Sequence, residues 1–149
     1  MTAYETVVVG TDGSKSSLAA VERAASVAAT SGAKLVVLCA YRPISRHEAA
    51  VAQDVLGEEA YHVVGSSPAE ETLRTARERA AVAGIIDVDT VAIEGDPVAA
   101  LLKTAKNWNA GLIVVGNRGL NTLTGRILGS VPAEVARKAD VDVLIVHTT

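Results

Sequence analysis

The residues best suited to chemistry lie near the C-terminus, in the stretch from Leu112 to Val131, which reads LIVVGNRGLNTLTGRILGSV. An apolar strand ends at Gly116, and Gly119 and Gly129 follow, the last with Ser130 directly behind it. Glycines let a backbone approach an anion and adopt positive φ angles, and a helix N-terminus favours negative charge. The stretch therefore predicts a phosphate-binding loop that leads into a helix capped by Ser130.

A second polar cluster, Gly10 to Ser14, follows the first predicted strand, Thr6 to Thr11. Its Asp12 suits a ribose hydroxyl or a Mg²⁺ ion held against phosphate oxygens, although the carboxylate can instead only shape the turn. Arg118 and Arg126 also have two interpretations, as bidentate partners of phosphate or as solvated loop side chains.

Other kinds of site find little support. The chain has neither a G-x-x-x-x-G-K-[ST] loop nor a G-x-G-x-x-G fingerprint after its first strand. His47, His62 and His147 are far apart and lack metal-ligand spacing, and no nucleophile–base arrangement stands out. Cys39 is the only cysteine and lies in an apolar run, so we expect a buried, inert thiol. These patterns disfavour an enzyme.

Composition narrows the class of protein. The chain has 149 residues, of which 49% are apolar, and a net charge of −3. This length predicts a single domain over residues 1–149, and the charge argues against nucleic-acid binding. The apolar runs are too short to span a membrane, the basic residues form no membrane-binding face, and no signal peptide is visible. We therefore expect a cytoplasmic protein.

Apolar runs and helix signals alternate along the chain. The predicted strands are Thr6 to Thr11, Leu35 to Tyr41, Asp87 to Ile93, Leu112 to Gly116 and Val141 to His147. The predicted helices are Lys15 to Ser31, a helix capped by Ser67 and continuing to Ala83, Val98 to Asn107, and Ser130 to Lys138. This order predicts an α/β fold with a doubly wound parallel sheet. The third strand alternates polar and apolar residues, which is typical of a strand near an edge.

Ligands of such sheets bind beyond the carboxyl ends of the strands, where the strand order reverses. If the first and fourth strands are neighbours, the loops that follow them form the two walls of one cleft. The link from Arg42 to Ser66 is long for a compact domain, and we expect it to be a functional, mobile or interacting segment. One hypothesis makes it a lid.

The spacing Gly116-x2-Gly119-x9-Gly129-Ser130 resembles that of the universal stress protein superfamily. The opening VVVGTDGSKSSLAAVERA, the strand LIVVGNRG and the ending GSVPAEVARKADVDVLIV are also similar to that family, in order and separation. Arg42 to Ser66 falls outside the resemblance. Gly111 and Asp142 depart from it, because the family usually has an aspartate before the fourth strand and a proline before the last.

The resemblance implies a three-layer α/β/α sandwich with five parallel strands in the order 3-2-1-4-5. It also implies a bound adenine nucleotide, ATP, AMP or cyclic AMP. The carboxylate chemistry of Asp12 suits a Mg²⁺ ion beside the phosphates of that nucleotide. The nucleotide-binding residues that the resemblance implies are Gly10, Thr11, Asp12, Ala40, Gly116, Asn117, Arg118, Gly119, Gly129, Ser130 and Val131. Of these, Ala40 would offer its backbone to the adenine edge. Pro132, in the first turn of the last helix, would alter how many phosphates fit.

The sequence is compatible with three functions. The first is a regulatory stress-response protein that acts by binding an adenine nucleotide, which we favour. The second is a slow ATPase or phosphotransferase with a metal at Asp12, for which the sequence offers no base. The third is an interaction module that does not use the site. The apolar last strand, Val141 to His147, would lie at a sheet edge, and the resemblance implies a homodimer formed there.

Overall fold

The computed structural model describes residues 3–42, 66–118 and 129–148. Their strands are β1 (Thr6–Gly10), β2 (Lys34–Tyr41), β3 (Val88–Glu94), β4 (Leu112–Gly116) and β5 (Asp142–Val146). Their helices are α1 (Lys15–Ser31), α2 (Ser66–Val82), α3 (Pro97–Asn107) and α4 (Ser130–Lys138). None of these described helices is long and apolar enough to cross a membrane. Gly119, Arg126 and positions 43–65 of the predicted link lie outside the described residues.

The five strands form one parallel sheet in the order β3-β2-β1-β4-β5, which confirms the predicted order. β1 lies at the centre and pairs with β2 on one side and with β4 on the other. Its register with β4 places Val7 opposite Leu112 and Val9 opposite Val114. The strand order therefore reverses between β1 and β4, where a doubly wound sheet binds its ligands.

Both faces of the sheet are buried, which explains why the central strands are apolar without alternation. Val7 and Val9 pack with Leu18 of α1 on one face, and α2 joins the same cluster. Val8 points to the opposite face, where it packs in a cluster with Leu101 of α3. α4 belongs to this second cluster, so the described elements form the predicted three layers.

Local capping residues set the helix ends that the sequence predicted well. The Ser14 hydroxyl oxygen accepts a 3.2 Å hydrogen bond from the N–H of Ser17 at the start of α1. Gly32 ends that helix with φ 65°, a left-handed angle that glycine adopts without strain. At α3, Asp96 Oδ2 accepts from the N–H of Ala99 at 2.9 Å.

Two predicted helix caps are wrong, although the predicted bounds of α4 are confirmed. Gly129, with φ −60° and ψ 161°, is the N-cap of α4, so Ser130 is its first helical residue rather than its cap. The helix α2 includes Ser66 and Ser67, so Ser67 does not precede it as a cap. Pro68 is tolerated there because N–H groups in a first turn have no acceptor within the helix.

Candidate functional site

A cleft opens at the carboxyl ends of β1, β2 and β4. It measures about 600 Å³ when the open space at its mouth is included. Strand ends and the first turns of α3 and α4 form its walls. The lining residues are Gly10, Thr11, Asp12, Ser17, Leu38, Ala40, Pro97, Leu101, Val115, Gly116, Arg118, Val131 and Pro132.

Most of the predicted site residues meet in this cleft. Gly10, Thr11, Asp12, Ala40, Gly116, Arg118 and Val131 line it. Asn117 and Gly129 adjoin it and are joined by a hydrogen bond of 3.0 Å from the Gly129 N–H to the Asn117 carbonyl. Ser130 follows Gly129 at the start of α4, whereas Gly119 lies outside the described residues.

The sequence missed the apolar part of the cleft. Leu38 and Val115 come from β2 and β4, and Leu101 comes from α3. The α3 wall can approach the sheet because Gly10 has no side chain. A Cβ on Gly10 would stand 3.1 Å from Leu101 Cδ2, closer than ordinary contact. Which helix covers a strand end depends on tertiary packing, and no local signal predicted it.

The loop between β1 and α1 is fixed by the hydroxyl of Ser17. This hydroxyl donates to the Ser14 carbonyl at 3.0 Å and accepts from the Asp12 N–H at 3.2 Å. Because its single proton is used there, the Thr11 hydroxyl donates to Ser17 Oγ, at 2.9 Å. The loop therefore holds its shape through its own side chains.

Asp12 has the turn-forming role that the sequence left open. Its Oδ1 accepts a 2.9 Å hydrogen bond from the Ser14 N–H. Partial burial acts to raise the pKa of this carboxyl, but hydrogen bonds from the hydroxyl and the N–H of Ser14 hold it below its ordinary value. Asp12 therefore lines the cleft as a carboxylate. A carboxylate has several acceptor positions, so the turn does not exclude a ligand.

The first turn of α4 supplies the cationic end of the cleft. In a first turn the N–H groups find no acceptor within the helix, and the dipole is positive. Pro132 has no N–H, and the Gly129 N–H already donates to Asn117. The donors that remain in this turn are the N–H groups of Ser130 and Val131. The exposed Arg118 side chain lines the same cleft.

The predicted positive φ angles are wrong for the described glycines of the phosphate loop. Gly129 has φ −60°, which any residue adopts, and Gly116 is absent from the residues with positive φ. Gly116 instead allows close packing, since its Cβ would stand 3.2 Å from Ser16 Oγ.

The end of β2 presents backbone groups to the cleft. The Leu38 carbonyl accepts a 2.8 Å hydrogen bond from the Thr11 N–H. The pairing of β1 with β2 ends here, since Gly10 and Leu38 are the last paired residues. Ala40 lies two residues further on, so its N–H and C=O point to the same side, where β1 has ended. They supply a donor and an acceptor at the rim of the cleft.

A metal would have few protein ligands in this cleft. Within the described ranges, no three or more His, Cys, Asp or Glu side chains gather into a metal-binding group. Asp12 is the carboxylate among the lining residues. Mg²⁺ commonly uses one or two carboxylates together with substrate phosphates. The residues therefore fit a Mg²⁺ ion that phosphates hold in large part.

Comparison with known proteins shows which family this chain resembles. The model of the universal stress protein family matches residues 3–147. A universal stress protein of Mycobacterium tuberculosis is 55% identical over 149 residues, covering 100% of both chains.

Two solved structures are also similar. One is the crystal structure of a universal stress protein in complex with cAMP, 46% identical, with a TM-score of 0.75 over 98% of each chain. The other is a crystal structure of a Mycobacterium tuberculosis protein, 48% identical, with a TM-score of 0.59, covering 100% of this chain and 99% of that one.

Proposed function

The chain belongs to the universal stress protein family, and we propose that it binds an adenine nucleotide and acts in stress responses through that binding rather than through catalysis. The observation that carries this proposal is that one cleft combines apolar side chains, which we call the apolar slot, with the helix N–H groups and the arginine of its cationic end. We place the base in the apolar slot and the phosphate at the cationic end, the phosphate end. The cAMP bound by the relative of 46% identity supports the same ligand class.

The apolar end suits a flat, weakly polar base. Leu38, Leu101 and Val115 supply apolar surface, and Ala40 supplies a backbone donor and acceptor at the rim. Burying an aromatic ring against such surface is favourable, while a polar edge must keep hydrogen bonds. Adenine has this combination of a stacking face and a hydrogen-bonding edge.

The cationic end, formed by the first turn of α4 and Arg118, suits one phosphate group. The N–H groups of Ser130 and Val131 and the guanidinium of Arg118 are donors enough for one phosphate group. Pro132 has no N–H to donate, so the first turn of α4 offers few further hydrogen bonds to the second and third phosphates of ATP. We therefore expect AMP and cyclic AMP to bind at least as tightly as ATP without a metal.

Few of the described residues that line the cleft have side chains that could take part in hydrolysis. Asp12 and Arg118 are its ionisable side chains. A base is most effective when its pKa lies near the working pH, and the pKa of Asp12 is held below the ordinary aspartate value. This supports binding over the alternative of a slow ATPase or phosphotransferase.

Calorimetric titration with ATP, AMP and cyclic AMP tests the proposal, beside a Gly129→Glu variant. Gly129 has φ −60°, so glutamate fits the backbone without strain and adds bulk and negative charge at the phosphate end. We expect wild-type binding and its loss in the variant. Ala136→Glu is the matched control, because it adds the same charge at an exposed position of α4.

Two results would contradict the proposal. Absence of binding by all three nucleotides would favour an interaction module that does not use the site. Phosphate release from ATP that Gly129→Glu abolishes would favour the enzyme.

We also propose that the protein is a homodimer joined through Val141 to His147. Within the described residues β5 has a strand neighbour on one side, β4, and its Val143, Leu144 and Ile145 are partly buried. An apolar edge of this kind favours pairing with a second copy. Sedimentation of a monomer at micromolar concentration would overturn the dimer, and Val143→Lys is expected to weaken it.

A further inference from the structure

We propose that Thr148, acting through Asn117, is a positioning residue for the phosphate end of the cleft. This inference rests on the proposed function and assigns a binding role to residues outside the cleft. Neither Thr148 nor Asn117 is among the residues that line it.

The backbone of Asn117 joins three elements. Its N–H donates to the Val146 carbonyl, at the end of β5, at 2.9 Å. Its carbonyl accepts from the N–H of Gly129, the N-cap of α4, at 3.0 Å. A movement of Asn117 would therefore move the start of α4, whose next two N–H groups face the phosphate end.

The side chain of Asn117 is held by Thr148. Asn117 Oδ1 accepts from the Thr148 N–H at 3.0 Å and from the Thr148 hydroxyl at 2.8 Å. Since that hydroxyl has one proton, the contact between Ser16 Oγ and Thr148 Oγ1 is donated by Ser16. A directed chain of hydrogen bonds thus runs from α1 through Thr148 to Asn117.

Close packing around Gly116 keeps this chain in place. A Cβ on Gly116 would stand 3.2 Å from Ser16 Oγ and 3.6 Å from Thr148 Cγ2. Asn117 lies between Gly116 and Arg118, which both line the cleft. Fixing Asn117 therefore fixes Arg118 and Gly129 relative to β4, while the apolar slot depends on other contacts.

The test compares AMP, which has a phosphate group, with adenosine, which has none. Thr148→Val removes the hydroxyl and keeps the shape of the side chain, which leaves Asn117 Oδ1 and Ser16 without that partner. We expect the affinity for AMP to fall about five- to tenfold, the usual effect of one lost hydrogen bond, and that for adenosine to change less than about twofold. Both are measured by calorimetric titration.

Three further variants sharpen the comparison. Thr148→Ser keeps the hydroxyl and is expected to bind AMP like the wild type. Thr30→Val removes an exposed hydroxyl, one that donates to the Ser26 carbonyl, and should change neither affinity. Ser16→Ala removes the donor to Thr148 and gives a milder loss for AMP, which keeps the test open if Thr148→Val does not fold.

The possible failures are distinguishable. If the wild type binds neither ligand, the proposed function fails, and this inference fails with it. If the wild type binds both and Thr148→Val loses AMP and adenosine equally, or loses neither, the proposed function stands and the positioning role is overturned.

Discussion

The hydroxyl of Tyr4 donates a 2.9 Å hydrogen bond to Oδ2 of Asp142, joining the segment before β1 to the first residue of β5. The Tyr4 ring also packs against Gly111, where a Cβ would stand 3.1 Å from Tyr4 Cδ1. Gly111 and Asp142 are the two positions that depart from the family pattern. Both positions contact Tyr4, Gly111 through the tyrosine ring and Asp142 through the hydroxyl.

This contact predicts a pH dependence at the alkaline end. The hydrogen bond to Asp142, with partial desolvation and the charge of Asp142, raises the pKa of Tyr4 above its ordinary value of 10. A group whose pKa is higher in the folded state than in the unfolded state stabilises the fold at pH values below its unfolded-state pKa. This contribution is lost as the pH rises through the folded-state pKa. Ultraviolet titration should show a late tyrosine ionisation that Tyr4→Phe removes. If Asp142→Asn leaves that ionisation unchanged, the contact is not its cause.

The role of Asp12 predicts a metal dependence of ATP binding. If Asp12 shares a Mg²⁺ ion with the phosphates, chelation of Mg²⁺ should weaken ATP binding roughly tenfold, equivalent to about 1.4 kcal/mol. Asp12→Asn should bind ATP equally with and without Mg²⁺, and the exposed Asp140→Asn should behave like the wild type. Titrations with Mg²⁺ and with EDTA decide this. Equal Mg²⁺ dependence in Asp12→Asn would rule out Asp12 as a ligand.

Cys39 predicts slow thiol chemistry in the folded protein. Desolvation by burial, with a smaller effect of the Asp12 charge, raises the pKa of the Cys39 thiol to about 11. The thiolate is the reactive form, so reaction with a disulfide reagent at pH 8 should be on the order of a hundredfold slower than for a free thiol. Unfolding in urea should restore the ordinary rate. Fast labelling in native buffer would show that β2 opens readily.

Thr104 predicts a stabilising substitution. Its side chain is 2% exposed, and its hydroxyl has no hydrogen-bond partner among the described residues. Thr104→Val keeps the shape and removes the unpaired group, so the free energy of unfolding should rise by about 1 kcal/mol. The control Thr75→Val removes a hydroxyl that donates to Glu71 and should give no gain. Urea unfolding measures both, and a loss at position 104 would mean that its hydroxyl is paired.

Local signals explain what the sequence predicted well. The helix Lys15 to Ser31 is confirmed at both ends because Ser14 and Gly32 mark them. The alternation in β3 correctly indicated an edge strand. Glycine and serine are both good N-caps, so the sequence did not reveal which of Gly129 and Ser130 precedes α4.

Contacts between residues that are distant in the chain explain which features the sequence did not predict. The approach of Leu101 to Gly10, and the bonds from Thr148 to Asn117, join elements whose separate sequences give no sign of the partner. From the sequence we also expected the glycines of the phosphate loop to be needed for positive φ angles. At Gly116 the reason is the nearness of Ser16, which only the assembled sheet shows.

The central position of β1 has a consequence for synthesis on the ribosome. Its partner β4 lies roughly a hundred positions later in the chain, so one edge of β1 stays unpaired for most of translation. Chains that end before β4 lack one wall of the cleft, since its walls come from both strands. A nucleotide that binds between those strands would therefore select chains that already contain β4 over shorter nascent ones.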